Sequence, residues 1–104
     1  MRAARFLHTL DLAHVEVIAV LRRKLSRGEV DAVRAGEAFT DFQATPIRRH
    51  AAAPLTARIW SLRSTHSAYD AAYVALAEVL GAPLVTTDTR LARSHGHDAV
   101  IVEA

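Results

Sequence analysis

Apolar residues along this chain alternate between helical spacing and short β-prone runs, an order that predicts an α/β domain. The clearest stretch is residues 67–92, which predicts a helix, a tight turn, a buried strand and the start of another helix. Ser67 is placed to cap the helix at its N-terminus, and Gly81 followed by Pro83 is placed to end it. The β-prone run 84–86 then predicts a short strand.

The rest of the chain continues this alternation. A helix from Leu12 to about Ser26, capped by Asp11, carries enough apolar residues that we expect it to be largely buried. The remaining elements are expected, in chain order, as a weak strand over 5–8, a helix over 29–42, a short strand over 46–50, a helix over 54–64 with Trp60 in the core, a helical turn over 89–94, a loop at 95–97 and a strand over 98–102.

Three carboxylates stand at positions that suit either structure or chemistry. Asp70 falls in the first turn of its helix, where the helix dipole by itself favours a negative charge. Asp88 follows a strand at the end where open α/β sheets bind ligands, but it is also suited to cap the turn that begins at Thr89. Glu16 interrupts an apolar helix surface, so it faces solvent, pairs with a nearby arginine or ligates a metal.

The composition of the chain limits the classes of protein to which it can belong. A chain of 104 residues suits one domain with a modest core, and the absence of cysteine excludes disulfides and cysteine-based metal sites. The longest apolar stretch, around residues 15–21, is too short to span a bilayer, so we expect no membrane segment. The lack of cysteine agrees with a cytoplasmic location, and the net charge of +2 permits a polyanionic partner without requiring one.

Several stretches resemble one known family. The text YDAAYVALAEVLGAPLVTTDTRLAR, residues 69–93, resembles the C-terminal half of a PIN domain of the VapC-type toxin ribonucleases. The text VEVIAVLRRKLSRGEV, residues 15–30, resembles the second helix of the same family, whose acidic residue falls on Glu16. Residues 46–70 match the family's run from a short strand to the acidic helix, so the resemblance covers nearly the whole chain.

One departure from the family stands at the start. Family members begin with an apolar strand that carries an aspartate, followed by a first helix, whereas this sequence opens with MRAARFLHTLD, which resembles the short strand before the second helix. The first strand, the first helix and the first catalytic aspartate are therefore expected to be absent. A sheet without that strand is expected to show an unpaired edge and uncovered apolar surface, which a swapped or partner strand could repair.

The resemblance implies an α/β, PIN-like three-layer fold, with a short parallel sheet flanked by helices in a single N-terminally truncated domain over 1–104. It implies a metal-dependent endoribonuclease that is the toxin of a type II toxin–antitoxin pair, with RNA as substrate and an antitoxin and a second copy of the chain as partners. Glu16, Asp70 and Asp88 would be the catalytic and metal-binding residues, and oxygen ligands favour Mg²⁺ or Mn²⁺.

Further residues receive candidate roles from the same resemblance. Thr86 would line the site and orient a carboxylate or a water, unless it is an ordinary strand threonine. Arg22, Arg90 and Arg93 would hold the RNA backbone. The alternative function is that of an inactive PIN remnant, which retains only dimerisation or antitoxin binding.

Overall fold

A computed structural model describes residues 7–104 and confirms the α/β class. Its elements, in chain order, are β1 (Leu7–Leu10), α1 (Ala13–Ser26), α2 (Ala32–Ala44), β2 (Ile47–His50), a 3-10 turn (Ala53–Leu55), α3 (Thr56–Ser61), α4 (Ala68–Leu80), β3 (Leu84–Thr86), α5 (Thr89–Ala92) and β4 (Ile101–Glu103). Residues 5 and 6 of the predicted first strand lie outside the described residues. The expected absence of an earlier strand, helix and aspartate also concerns a region outside them.

The predicted ends of α4 are confirmed. The Ser67 hydroxyl accepts a hydrogen bond from the backbone N–H of Asp70 at 3.2 Å, which satisfies one of the free donors of the first turn. At the other end, Gly81 adopts a left-handed conformation with φ of 62° and stops the helix. The strand Leu84–Thr86 follows directly, as the sequence predicted.

The N-terminal helix departs from its prediction. Asp11 does not cap α1, because the helix starts after Leu12 without a side-chain cap and the Asp11 carbonyl instead lies 2.9 Å from Nδ1 of His14. We expected a largely buried helix, but only Ala13 is buried, since α1 packs chiefly on α2. Ile18, for example, is 51% exposed.

Two later helices also differ from the sequence pattern. The helix predicted over 29–42 begins at Ala32, because Asp31 caps it by accepting a hydrogen bond from the N–H of Arg34 at 2.7 Å. The helix predicted over 54–64 is a 3-10 turn followed by α3, which ends at Ser61. Trp60 was expected in the core, yet it is 67% exposed, and the Arg63 guanidinium lies 4.3 Å from its ring centre.

The position of Trp60 follows from helical spacing around α3. Leu55, Ile59 and Leu62 recur at intervals of four and three residues and share one face. That face packs against the buried small residues of α4, so Trp60 points the other way. An aromatic residue next to a core position is therefore placed by the phase of the helix and not by its hydrophobicity.

The parallel sheet consists of two separate halves. Among residues 7–104, β1 pairs only with β2, with Leu7 opposite Ile47, and β3 pairs only with β4, with Leu84 opposite Ile101. Both pairs are parallel, as expected. The described residues supply no strand that joins β1 to β3, and the flanking helix α4 serves both halves.

α4 is the central element of the core. Its small residues allow close approach, so that Leu10 of β1 packs with Ala72, Ala75 and Leu76 on one side. On the other side Leu91, just after β3, packs with Ala71 and Val74. Leu10 and Leu91 thus both pack against the N-terminal two-thirds of α4. Within 7–104, no helix is both long enough and apolar enough to cross a bilayer.

Candidate active site

Asp70 lies in the first turn of α4, next to the buried residues Ala71 and Ala72. It is half-buried, and its own backbone N–H is satisfied by Ser67. No residue within 7–104 donates a hydrogen bond to the Asp70 carboxylate or forms an ion pair with it. This carboxylate is therefore available to a ligand.

Glu16 contacts α4 through a hydrogen bond with a tyrosine. The Tyr73 hydroxyl donates a hydrogen bond of 2.6 Å to Oε1 of Glu16, which is neither the solvent-facing nor the arginine-paired arrangement considered for this residue. Burial, followed by this bond, raises the pKa of Tyr73 to about 12, so the phenol keeps its proton and remains a donor. The sequence analysis missed Tyr73, although it stands three residues after Asp70 and so shares a helix face with it.

Asp88 closes β3 and is exposed. Its Oδ1 atom accepts hydrogen bonds from the N–H groups of Arg90 at 2.9 Å and Leu91 at 3.2 Å, which confirms the predicted capping role. The Thr86 hydroxyl accepts a bond of 3.0 Å from the Asp88 N–H, so Thr86 orients the backbone that carries this carboxylate. The cap holds one carboxylate oxygen and fixes the direction of the side chain.

A fourth acidic residue lies at the same end of the β3–β4 pair. Glu103 stands opposite Thr86 in the parallel register, and its Oε2 accepts a hydrogen bond of 2.6 Å from the Thr89 hydroxyl. We predicted that the last strand covers 98–102, but it covers Ile101–Glu103, and this shift left Glu103 out of the candidates. Its β-prone neighbours at 100–102 were the available signal.

The acidic side chains do not form a closed site among residues 7–104. Glu16, Asp70 and Asp88 are each positioned by contacts at the N-terminal end of α4 or the carboxyl end of β3. Within 7–104, however, no three His, Asp or Glu side chains come close enough to hold a metal ion together. The donors suit Mg²⁺ or Mn²⁺ in kind, but their arrangement does not fit a complete ligand set, and their metal role stays a prediction.

A buried histidine borders the candidate site in the loop before α4. Nδ1 of His66 lies 2.8 Å from the Thr65 hydroxyl, and its ring centre lies 5.5 Å from that of His97. Burial, and then the repulsion of His97, lowers the pKa of His66, so its ring is neutral at neutral pH.

His97 belongs to a fixed turn, as expected for residues 95–97. Its Nδ1 accepts a hydrogen bond of 3.1 Å from the N–H of Ala99, and its Nε2 lies 3.0 Å from the Ser94 hydroxyl. Both ring nitrogens are thus engaged, which makes His97 a structural residue.

The arginines proposed to hold RNA are all exposed. Arg22 stands on the outer part of α1, whereas Arg90 lies in α5 directly after Asp88 and Arg93 follows α5. Arg90 and Arg93 are thus close in sequence to Asp88, and Arg22 stands six residues after Glu16 on α1. Their role in RNA binding remains a prediction.

The sequence of this chain is similar to sequences of known proteins. The family model described as "PIN domain" matches residues 1–95. Ribonuclease VapC12 of Mycobacterium tuberculosis H37Rv is 47% identical over 87 residues, which make up 84% of this chain and 67% of the relative. VapC ribonuclease Mb0985 of Mycobacterium bovis is 40% identical over 89 residues, 86% of this chain and 70% of the relative. Ribonuclease VapC3 of Pyrobaculum aerophilum is 40% identical over 93 residues, which correspond to 86% of this chain and 71% of the relative. The chain therefore belongs to the PIN-domain family and, within it, to the VapC-type proteins.

Proposed function

We propose that this protein is a metal-dependent endoribonuclease, the toxin of a type II toxin–antitoxin pair. The observation that carries the proposal is the 47% identity to proteins named ribonuclease over 84% of the chain. The same region contains the acidic residues at the N-terminal end of α4 and the carboxyl end of β3. We treat residues 1–104 as part of a single PIN-like domain.

The proposal gives each acidic residue a distinct part. Asp70 offers a carboxylate that has no hydrogen-bond partner among residues 7–104, Glu16 is held by Tyr73, and Asp88 is directed by its bonds to the first turn of α5. Bound Mg²⁺ or Mn²⁺ would supply an activated water and stabilise charge on the phosphodiester. The metal part of the proposal rests on the chemistry of these donors, since the described residues do not form a complete ligand set.

Partners follow from the same proposal. Arg90 and Arg93 would contact the phosphates of the RNA, with Arg22 farther along α1. An antitoxin or a second copy of the chain would cover the groove of about 420 Å³ between α1 and α2, which is lined by Ile18, Leu21, Leu25, Ala35 and Phe39 among others. The proposed location is the cytoplasm, where an RNA substrate is available.

A non-enzymatic function is the second candidate. The split sheet and the absence of a complete ligand set within 7–104 favour a protein that only binds a partner. Such a protein would use the same α1–α2 groove but would not cleave RNA.

Cleavage of a panel of structured RNAs distinguishes the two candidates. The purified protein is incubated with Mg²⁺ or Mn²⁺, with EDTA as a control. Asp88→Asn tests the carboxylate while keeping the helix cap, because asparagine caps as well as aspartate. Glu16→Gln tests the second carboxylate, and Glu37→Gln on α2, where the residue forms only an exposed pair with Arg34, is the matched control.

The endoribonuclease is supported if cleavage requires the metal, falls roughly 100-fold or more in Asp88→Asn and Glu16→Gln, and persists in Glu37→Gln. Folded protein that leaves every RNA intact with either metal favours the binding function. Cleavage that survives EDTA and both site variants would indicate a contaminating nuclease and would contradict the proposal.

A further inference from the structure

The exposed tryptophan of α3 carries an arginine stacked on its ring. Trp60 is 67% exposed, and the guanidinium carbon of Arg63 lies 4.3 Å from the ring centre. Nη1 of Arg63 donates a hydrogen bond of 3.0 Å to the Trp60 carbonyl, which holds the guanidinium over the indole. A guanidinium covers only one face of a ring, and the large exposed fraction leaves most of the indole in contact with solvent. We call these two residues the Trp60–Arg63 pair.

The charge of Arg63 is not neutralised in the part of the chain that the structure describes. Arg63 is exposed and forms no ion pair within 7–104. Arg58, on the same helix, is by contrast paired with Glu78 at 2.8 Å. Because a guanidinium stacked on an aromatic ring still presents N–H groups at its edge, Arg63 can bind a phosphate without leaving Trp60.

The segment around the pair is basic and lacks acidic residues. Residues 42–69 contain four arginines, and the nearest carboxylates along the chain are those of Asp41 and Asp70. This segment runs from the end of α2 through β2, the 3-10 turn and α3 to the start of α4. A surface with this balance of charge attracts a polyanion.

Trp60 lacks the apolar surroundings that are expected at a protein interface. Between residues 51 and 68 it is the only large apolar side chain that is strongly exposed. Its neighbours Ser61 and Ser64 are exposed and polar. The centre of a protein interface groups aromatic residues with other apolar side chains in a continuous patch. An isolated indole beside an unpaired cation instead matches the stacking surfaces with which proteins bind unpaired bases.

We propose that the Trp60–Arg63 pair binds an unpaired nucleotide of RNA, whose base stacks on Trp60 and whose phosphate contacts Arg63. The inference takes its ligand from the proposed ribonuclease and therefore rests on that function. Every base has a planar face that can stack on an indole, so this contact holds a single strand with little preference for sequence. Bases in a duplex hide their faces within the stack, so the pair selects single-stranded or looped RNA.

The end of α3 packs with the elements that carry two of the candidate carboxylates. Leu62 belongs to one buried cluster with Ala71 of α4 and Leu91 of α5. Asp70 directly precedes the first of these partners, and Asp88 caps the helix that contains the second. A nucleotide on the Trp60–Arg63 pair would thus be held by the same packed helices as these carboxylates. The pair serves to hold the substrate and takes no part in breaking the bond.

The fluorescence of Trp60 provides a direct test, because this residue is the only tryptophan of the chain. The purified protein is titrated with a short oligouridylate in EDTA, which withholds the metal needed for cleavage. The control is the same strand annealed to oligoadenylate. We expect the single strand to quench the emission of Trp60 to saturation and the duplex to leave it nearly unchanged, because only unpaired bases can stack on the indole.

Substitutions at Trp60 separate stacking from simple apolar contact. Trp60→Phe keeps an aromatic face, whereas Trp60→Leu keeps an apolar side chain without one. Affinity is measured from the fluorescence anisotropy of labelled oligouridylate, so the loss of the tryptophan does not affect the signal. We expect binding to weaken at least about fivefold in Trp60→Leu and less than about threefold in Trp60→Phe. Both variants should fold, because the position is exposed.

A substitution of Arg63 tests the phosphate contact. Loss of one phosphate contact to a single strand should flatten the slope of log affinity against log salt by about 0.7 in Arg63→Gln. Arg34→Gln on α2 is the matched control, since Arg34 is also exposed but already pairs with Glu37, and its slope should equal that of the wild type. A wild-type slope in Arg63→Gln, or the same change in both variants, would contradict the contact.

Four other results would overturn the proposal: no binding of RNA, binding that leaves the emission of Trp60 unchanged, equal quenching by oligoglutamate, or a blue-shifted emission of the free protein that grows with its concentration. The third would indicate an acidic protein partner, and the fourth a second copy of the chain. None of these measurements uses RNA cleavage. Protein that cleaves RNA without using Trp60 refutes only this inference, and protein that stacks RNA on Trp60 without cleaving it refutes only the ribonuclease.

Discussion

The bidentate ion pair between Arg58 and Glu78 offers the sharpest test of how the fold is held together. Nε of Arg58 donates to Oε1 of Glu78, and Nη2 donates to Oε2, each at 2.8 Å. Oε2 of Glu78 also accepts from the backbone N–H of Asp98 at 2.8 Å. This carboxylate therefore joins α3, α4 and the loop before β4, and Glu78→Gln removes its charge with little change in shape.

The structure sets the size and the sign of the effect. Mainly through the Arg58 hydrogen bonds, the pKa of Glu78 falls from 4.5 to about 2, which corresponds to at most about 3 kcal/mol of preference for the ionised form. The Glu78 side chain is 13% exposed but that of Arg58 is 38% exposed, so solvent screening reduces the expected value to about 1–2 kcal/mol.

The pH dependence follows from the lowered pKa. Because the folded state binds the proton more weakly than the unfolded state, the stabilisation is fully present above the unfolded pKa of 4.5 and is lost as pH falls from there toward about 2. The free energy of unfolding is measured by urea denaturation of wild type and Glu78→Gln at pH 7, 4 and 3. We expect a difference of about 1–2 kcal/mol at pH 7 that shrinks steadily at the two lower values.

Glu37→Gln is the control for that experiment. Glu37 forms a 3.6 Å pair with Arg34 on the surface of α2, where both side chains are at least 60% exposed. We expect a change below about 0.5 kcal/mol at every pH. The reasoning is refuted if Glu78→Gln behaves like Glu37→Gln, or if its effect does not diminish between pH 7 and pH 3.

Three further tests concern the core, a turn and the surface, and the first two each compare a substitution with a control. Val74→Ala, at a fully buried position of α4, should lower the free energy of unfolding by about 2 kcal/mol. Val79→Ala, at a position of the same helix that is 70% exposed, should lower it by less than about 0.5 kcal/mol. Similar losses for the two variants would contradict the assignment of the core. Gly81→Ala should destabilise the protein by roughly 1 kcal/mol in thermal or urea unfolding, because a φ of 62° disfavours a residue with a Cβ atom. At Gly36, inside α2, an added Cβ atom meets no atom within 4 Å, so Gly36→Ala should stabilise the helix. Trp60 should emit like a solvated indole and be quenched by iodide, and a blue-shifted emission resistant to quenching would show that it is buried.

Local signals in the sequence were sufficient for the elements around α4. Ser67, Gly81 and Asp88 act through hydrogen bonds and backbone conformation within a few residues of themselves, so their capping roles can be read from neighbouring positions. The resemblance carried by residues 69–93 led to the same family that the comparisons establish. These features depend on short stretches of chain, which is why they were predictable.

Other features depended on contacts between distant segments. The bond from Tyr73 to Glu16 spans 57 positions and that from Arg58 to Glu78 spans 20, and neither follows from periodicity. The exposure of α1 was mispredicted for the same reason, since an apolar face is buried only if another element lies against it.

The sequence by itself thus determined the order of helices and strands and the caps at Ser67, Gly81 and Asp88. Only the tertiary structure decided that the parallel strands of residues 7–104 form two separate pairs and that α4 packs against both. The physical reason is that helix caps and turns are satisfied by near neighbours, whereas the pairing of a strand and the burial of an apolar face require a partner that no local pattern specifies.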